Sequence, residues 1–219
     1  MTHDDLAHRA VVEQLTNDLA PVRRLWSPWR RLTAWVVLAL GTVALAAAVG
    51  LRTDLQVQLD RSHFVATLAI LLAGAGLGAT TALLSAVPGR IGRREARGVA
   101  AGLLVMAVTL ALLGDSGPAA PVRGVVPSGL QCLACVALFG LVPWLALYWA
   151  ARRAAPLDAT TTGLCIGASA FLVGAAAVRV ACPVDDVVHL AVWHGMPVAI
   201  WAAASMAVGA GTLERWAAR

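Results

Sequence analysis

Polar residues along the chain are confined to short breaks between long apolar runs. These runs cover 32–51, 64–87, 98–114, 130–151, 159–180 and 187–210, the last holding His189 and His194. A helix needs about 20 apolar residues to cross a bilayer, and 98–114 is the shortest run that approaches this length. In lipid every backbone polar group must be satisfied internally, which selects helices for runs of this kind. The pattern predicts an all-α, polytopic membrane protein: six transmembrane helices within 32–213, a short N-terminal segment (1–31) and a tail (214–219).

Composition agrees with this pattern. The chain is 59% hydrophobic and 13% charged, with a mean hydropathy of +0.76, well outside the range of soluble domains. The first run starts at Leu32 and lacks the lead and exit of a cleavable signal peptide, so it is expected to remain as an anchor.

Charge sets the orientation. All 17 basic residues are arginine. Arg9, Arg23, Arg24, Arg30 and Arg31 precede the first run, Arg90, Arg93, Arg94 and Arg97 follow the second, Arg152 and Arg153 follow the fourth, and Arg215 and Arg219 close the chain. Only Arg52, Arg61, Arg123 and Arg179 fall on the other side. The positive-inside rule then places both termini in the cytoplasm.

Residues 1–31 are too few to bury a core. Thr2 with Asp5 is a weak capping-box signal, Val12, Leu15, Leu19 and Val22 recur at helical spacing, and Pro21 is expected to end the helix near Ala20. Asp4, Asp5, Glu13 and Asp18 make this helix acidic and unsuited to anionic lipid. It reads as a docking element for a cytoplasmic protein, followed by a juxtamembrane anchor, "PVRRLWSPWRR". The competing reading is a frayed leader that binds nothing.

Within the runs, Gly74 and Gly78 form a GxxxG step, which reads as close helix packing. Trp144, Trp149, Trp193 and Trp216 fall near run ends, where an aromatic belt is expected.

The candidate chemistry lies in "RVACPVDDVVHLAVWH", between the fifth and sixth runs on the outer face. Counting along the helices puts Cys132 near the outer end of the fourth run and Cys135 about 4.5 Å deeper. Cys182 emerges at the same outer level, and Cys165 reads as a buried small hydrophobe. Pro183 suits the first residue of the sixth helix. On that helix Asp185 and Asp186 would share a face with His189, and His194 would lie deeper on another.

Thiolate, carboxylate and imidazole suit a soft or borderline divalent metal, and paired thiols suit a redox disulfide. The competing structural reading makes the aspartates helix caps and the cysteines inert. Cys132-Leu-Ala-Cys135 is formally CxxC, which keeps open a membrane thiol–disulfide oxidoreductase using Cys132 and Cys135 with quinone. A second reactive pair on the same side is missing from that pattern.

Six runs, the leader "LAPVRRLWSPWRR", "GLQCLAC" at the fourth run and "CPVDDVVHLAVWHGMPV" together resemble the NrsF-type membrane anti-sigma factors. The resemblance implies a non-enzymatic regulator in the bacterial inner membrane. Such a protein holds a sigma factor of the extracytoplasmic-function class through its N-terminal segment and has no direct contact with nucleic acid.

It implies further that two periplasmic cysteines sense heavy metals or oxidants. Cys182 matches one and Cys132 best matches the other, while Cys135 departs from the pattern as a second thiol at the same site and stays a candidate sensing residue that could pair with Cys182 in place of Cys132. No obligatory cofactor is implied. A transient divalent metal at these cysteines is the one expected ligand, with Cys132, Cys182, Asp185, Asp186, His189 and His194 as the candidate donors. Leu6, Val12, Leu15, Leu19, Pro21, Arg23 and Arg24 are the candidate partner-binding residues.

Overall fold

The apolar runs fold as helices. A computed structural model of the chain describes residues 3–17, 25–87, 90–112, 122–154, 156 and 158–213, all-helical among those residues. Leu19, Pro21, Arg23 and Arg24 lie outside them. The helices are α1 (His3–Asn17), α2 (Pro28–Val49), α3 (Leu55–Leu59), α4 (Ser62–Ser85), α5 (Arg93–Leu112), α6 (Val122–Arg152), α7 (Ala159–Arg179), α8 (Val187–His189) and α9 (Met196–Thr212). A π-helical turn, Leu190–Gly195, joins α8 to α9 in one continuous rod.

Local chemistry sets the boundaries. The Ser27 hydroxyl caps α2 by accepting from the Arg30 N–H, with Pro28 in the first turn. Asp158 caps α7 through the Thr161 N–H at 3.0 Å.

Among the described residues, five stretches are long and apolar enough to cross a membrane: Pro28–Val49, Ser62–Ser85, Gly129–Arg152, Ala159–Arg179 and Val187–Thr212. The sixth expected run falls in α5. That helix opens with Arg93, Arg94, Glu95 and Arg97, and the last two residues of the expected run, 113 and 114, lie outside the described residues.

α7 is the axis of the bundle. Its span is 94% buried, packed by α9, α6 and α4 and also by α2. Small residues make this approach feasible, because without a water-driven hydrophobic effect helices associate through close packing. A Cβ on Gly163 would stand 2.6 Å from the Ser205 carbonyl oxygen, and one on Gly209 2.6 Å from that of Ala159. A Cβ on Gly78 would strike Ser169 Oγ, so the GxxxG step in α4 serves packing as expected.

Buried polar groups tie the helices together. Trp35 Nε1 donates to the Pro143 carbonyl at 2.9 Å, linking α2 to α6. Trp144 Nε1 donates to Ser205 Oγ at 2.8 Å, and Ser205 in turn donates to the Gly163 carbonyl at 2.7 Å. Trp144 is half-buried, and its indole N–H clasps α6 to α9 through Ser205. Trp149 remains exposed, with Arg152 and Arg153 over its ring.

The rods have two distinct ends. Arg31 Nη1 bonds the Ala150 carbonyl at 2.8 Å, Arg97 pairs with Asp158 at 3.3 Å, and the Tyr148 hydroxyl donates to Thr212 Oγ1 at 2.7 Å. One end therefore gathers the start of α2, the starts of α5 and α7, and the ends of α6 and α9. Arg30, Arg90, Arg93, Arg94, Arg152 and Arg153 belong to these same termini, making an arginine-rich end. The opposite end holds the close of α2, the start of α6, and the loop after α7.

Replacing Gly167 by leucine is expected to force α7 off α9, since even a Cβ there would lie 2.6 Å from Ser205 Cβ and 2.8 Å from Ala202 Cα. The cost is about 1–3 kcal/mol or more, read as a lower melting temperature in detergent. Gly76→Ala, where a Cβ meets nothing within 4 Å, should melt no lower than the parent. Equal melting of the two variants would contradict the packing.

Candidate functional site

The site is built by the loop that turns back after α7. Cys182 is still tethered to that helix, its N–H donating to the Val178 carbonyl at 2.7 Å. The next helix begins at Val187, not at Pro183, with Asp186 as its cap. This corrects the expected positions of both aspartates, which precede the helix instead of sharing a face of it with His189.

Each carboxylate has a structural occupation. Asp186 Oδ1 accepts the His189 backbone N–H at 3.0 Å. Asp185 accepts from Arg52 Nη1 at 3.1 Å and Nη2 at 2.7 Å, from Gln58 at 3.1 Å, and from Arg179 Nη1. Arg52 also grips Asp54 through Nε at 2.7 Å and Nη2 at 2.9 Å. Both guanidinium groups lie over the buried ring of Phe64, at 5.5 Å for Arg52 and 4.6 Å for Arg179. Two arginines and two aspartates make this cluster neutral, which is what allows the Arg52 side chain to be wholly buried.

The charges reinforce one another. Asp54 is held below the usual carboxylate range by the hydrogen bond from Arg52 and then that from Gln58. Burial pushes Asp185 up, but hydrogen bonds and charges from Arg52 and Arg179 overcome it and leave its carboxyl low. Burial disfavours the charged form of Arg52, and Asp54 with Asp185 more than compensate.

Beside this clamp, the structure brings together Cys132, Cys182, His189 and His194. All four are buried, and one donor atom from each lies within 4.8 Å of the others. Cys132 Sγ donates to Cys182 Sγ at 3.6 Å, and His189 Nε2 is 3.5 Å from Cys182 Sγ. The Cys182 thiol is held well below its ordinary value by the bond from Cys132, aided by His194 and the Val184 backbone, against the opposing effect of burial. A thiolate is the form that attacks oxidants and binds metals.

Asp185 and Asp186 are outside this donor group. Cys135 is half-buried against the core one turn deeper, and Cys165 is buried within α7. Val12 is exposed on α1, which also carries Leu6 and Leu15.

His194 shares a face with His189, against the expectation that it lies on another. Residues five apart diverge on an α-helix, but a π turn bonds i to i+5 and realigns them. Met196 N–H bonds the Ala191 carbonyl in that register, and Pro197, lacking an N–H, cannot continue the α-helical ladder to Trp193. The imidazoles meet edge to face at 5.4 Å. Trp193, on the same turn, packs on Gly129 of α6, where a Cβ would strike the indole. The sequence signal for this geometry is the proline three residues after His194.

Helices long and apolar enough to cross a membrane, with a buried thiol–imidazole cluster toward one end, are the pattern of a multi-span helical protein. A family model described as negative regulator of sigma F (NrsF) matches residues 15–216, and the chain belongs to that family. The family's description implies a sigma factor as the partner. No curated protein and no solved structure matches the chain.

The clamp has a definite pH signature. Carboxyls whose folded pKa is depressed contribute stability above the unfolded value of about 3.9, and that stability is lost as pH falls through the folded value. Asp185→Asn should lower stability by about 3 kcal/mol, the cost of breaking a buried pair, and flatten the acid limb of the melting profile. An unchanged melting temperature and acid limb would contradict the clamp.

Proposed function

We propose that the chain is a membrane-bound anti-sigma factor in the bacterial inner membrane. It sequesters a sigma factor of the extracytoplasmic-function class through residues 1–31 and releases it when periplasmic cysteines meet a heavy metal or an oxidant. The observation that carries this reading is the buried Cys132–Cys182 contact at one end of the bundle, opposite the end from which the N-terminal segment departs.

Orientation follows from charge. Arg30, Arg31, Arg90, Arg93, Arg94, Arg97, Arg152 and Arg153 cluster at the end bearing the start of α2, which the positive-inside rule assigns to the cytoplasm. Two of the arginines at the other end, Arg52 and Arg179, are neutralised by Asp54 and Asp185. Connectivity supports a sixth crossing. α5 starts beside Asp158 at the arginine-rich end and packs along the π turn at the other, so the chain traverses the bundle before α6 returns.

Signal transfer has a short route. A change at Cys182 moves the loop that carries Asp185, and Asp185 is bonded to Arg52 just beyond the end of α2. The Arg52 N–H also bonds the Val180 carbonyl at 3.3 Å. α2 then carries the displacement as a rod to the leader, and α5 to the basic loop at Arg90–Arg97. A shift from 1:99 to 99:1 in partner release needs about 5.5 kcal/mol of differential binding, within reach of metal–thiolate bonds.

The oxidoreductase reading is less well supported. The thiol bonded to Cys132 is Cys182 across helices, not Cys135 along the same helix.

The test is a sigma-dependent reporter in cells expressing the full chain. Val12→Asp with Leu15→Asp should abolish repression, and Cys132→Ser with Cys182→Ser should repress normally yet no longer respond to cadmium or a thiol oxidant. Repression untouched by the leader variant, or full induction in the double serine variant, would sink the respective half of the proposal.

A further inference from the structure

We infer that Cys132, Cys182, His189 and His194 form a four-ligand, tetrahedral site for a borderline divalent metal of the zinc and cadmium class. This deepens the function proposed above by naming the ligand chemistry of its sensing site, and it rests on that reading only for its biological consequence.

Geometry carries the inference. Tetrahedral bonds of about 2.3 Å to sulfur and about 2.0–2.1 Å to nitrogen set sulfur atoms about 3.8 Å apart and sulfur about 3.5 Å from nitrogen. The observed separations are 3.6 Å between the two Sγ atoms and 3.5 Å from Cys182 Sγ to His189 Nε2. The full set closes within 4.8 Å, so only small side-chain adjustments separate it from coordination.

Unmet hydrogen-bonding capacity is the second, independent observation. His194 is 6% exposed, yet its Nε2 has no hydrogen-bond partner. Buried polar atoms are nearly always satisfied, and exceptions call for an explanation. Here the ring belongs to a set of four buried donors that closes within 4.8 Å.

Charge balance completes the argument. Two thiolates neutralise one divalent ion and two imidazoles add none, so the loaded site is neutral in a buried setting. Loading releases the thiol protons to solvent. Asp185 and Asp186 would add negative charge, and the clamp and the helix cap already hold them away. Two sulfurs with two imidazole nitrogens suit zinc-like ions over magnesium or calcium, which prefer oxygen.

The experiment is cobalt titration of the reduced full-length protein in detergent. The expected result is one Co2+ per chain with a sulfur-to-cobalt charge-transfer band and intense tetrahedral visible bands, both erased by added Zn2+. His189→Ala and His194→Ala, which keep both thiols, should each weaken binding by at least about ten-fold and lose the tetrahedral bands. Asp186→Asn and Cys135→Ser should retain them.

Zinc should also raise the melting temperature of the unmodified protein, a readout that needs no variant to fold. Absence of the charge-transfer band, or a spectrum unchanged when both histidines are replaced, would overturn the site. Sigma-factor retention measured without metal separates the two ideas: its loss with an intact cobalt site would overturn the function and leave the site standing.

Discussion

The Asp185 carboxylate, shared by Arg52 and Arg179, is the contact on which the far end of the bundle depends. It lies between Cys182 and His189 in sequence, so whatever fixes Asp185 fixes the spacing of the donors on either side. Arg52 brings in the end of α2, Arg179 the end of α7, and Phe64 the start of α4. Losing the carboxylate would leave two buried cations facing one remaining anion, a costly state in a low-dielectric setting. The same neutral knot removes positive charge from the end that the proposed topology turns outward.

Under the proposed function, a well-packed interior would let that knot act as a lever. α7 is enclosed on all sides, and its glycines bring neighbouring backbones too close for any added carbon. Helices in such contact shift as bodies between discrete arrangements instead of deforming continuously. Under the proposed function, α2 is the element that joins the two ends, with Arg52 just beyond one terminus and the Ser27 cap and leader at the other. Trp35 bonded to Pro143 and Arg31 bonded to Ala150 mark where α2 is fastened to α6.

Much of this was legible from the residues. Long uncharged runs located the five helices that, among the described residues, are long and apolar enough to cross a membrane. Counting helical rise from the run ends placed Cys132 and Cys182 at one level, where their sulfur atoms meet. Three features were not readable. Pro183 is a good first helical residue, but the pull of Arg52 on Asp185 delays the helix until Asp186 caps it. His194 falls off the face of His189 on an ideal α-helix, and only the π turn before Pro197 realigns them. The acidic residues near the histidines suggested ligands, whereas arginines distant in sequence claim Asp185; pairings across more than a hundred residues leave no local trace.

The central claim is that the state of the far-end thiols sets the affinity of the leader for its partner. The most direct measurement is the dissociation constant of the sigma factor for the full-length chain in lipid nanodiscs, with Cys132 and Cys182 free and with them saturated by cadmium. Weakening by at least about ten-fold on loading, equivalent to about 1.4 kcal/mol, is the predicted result. An affinity unchanged at full cadmium occupancy would contradict it.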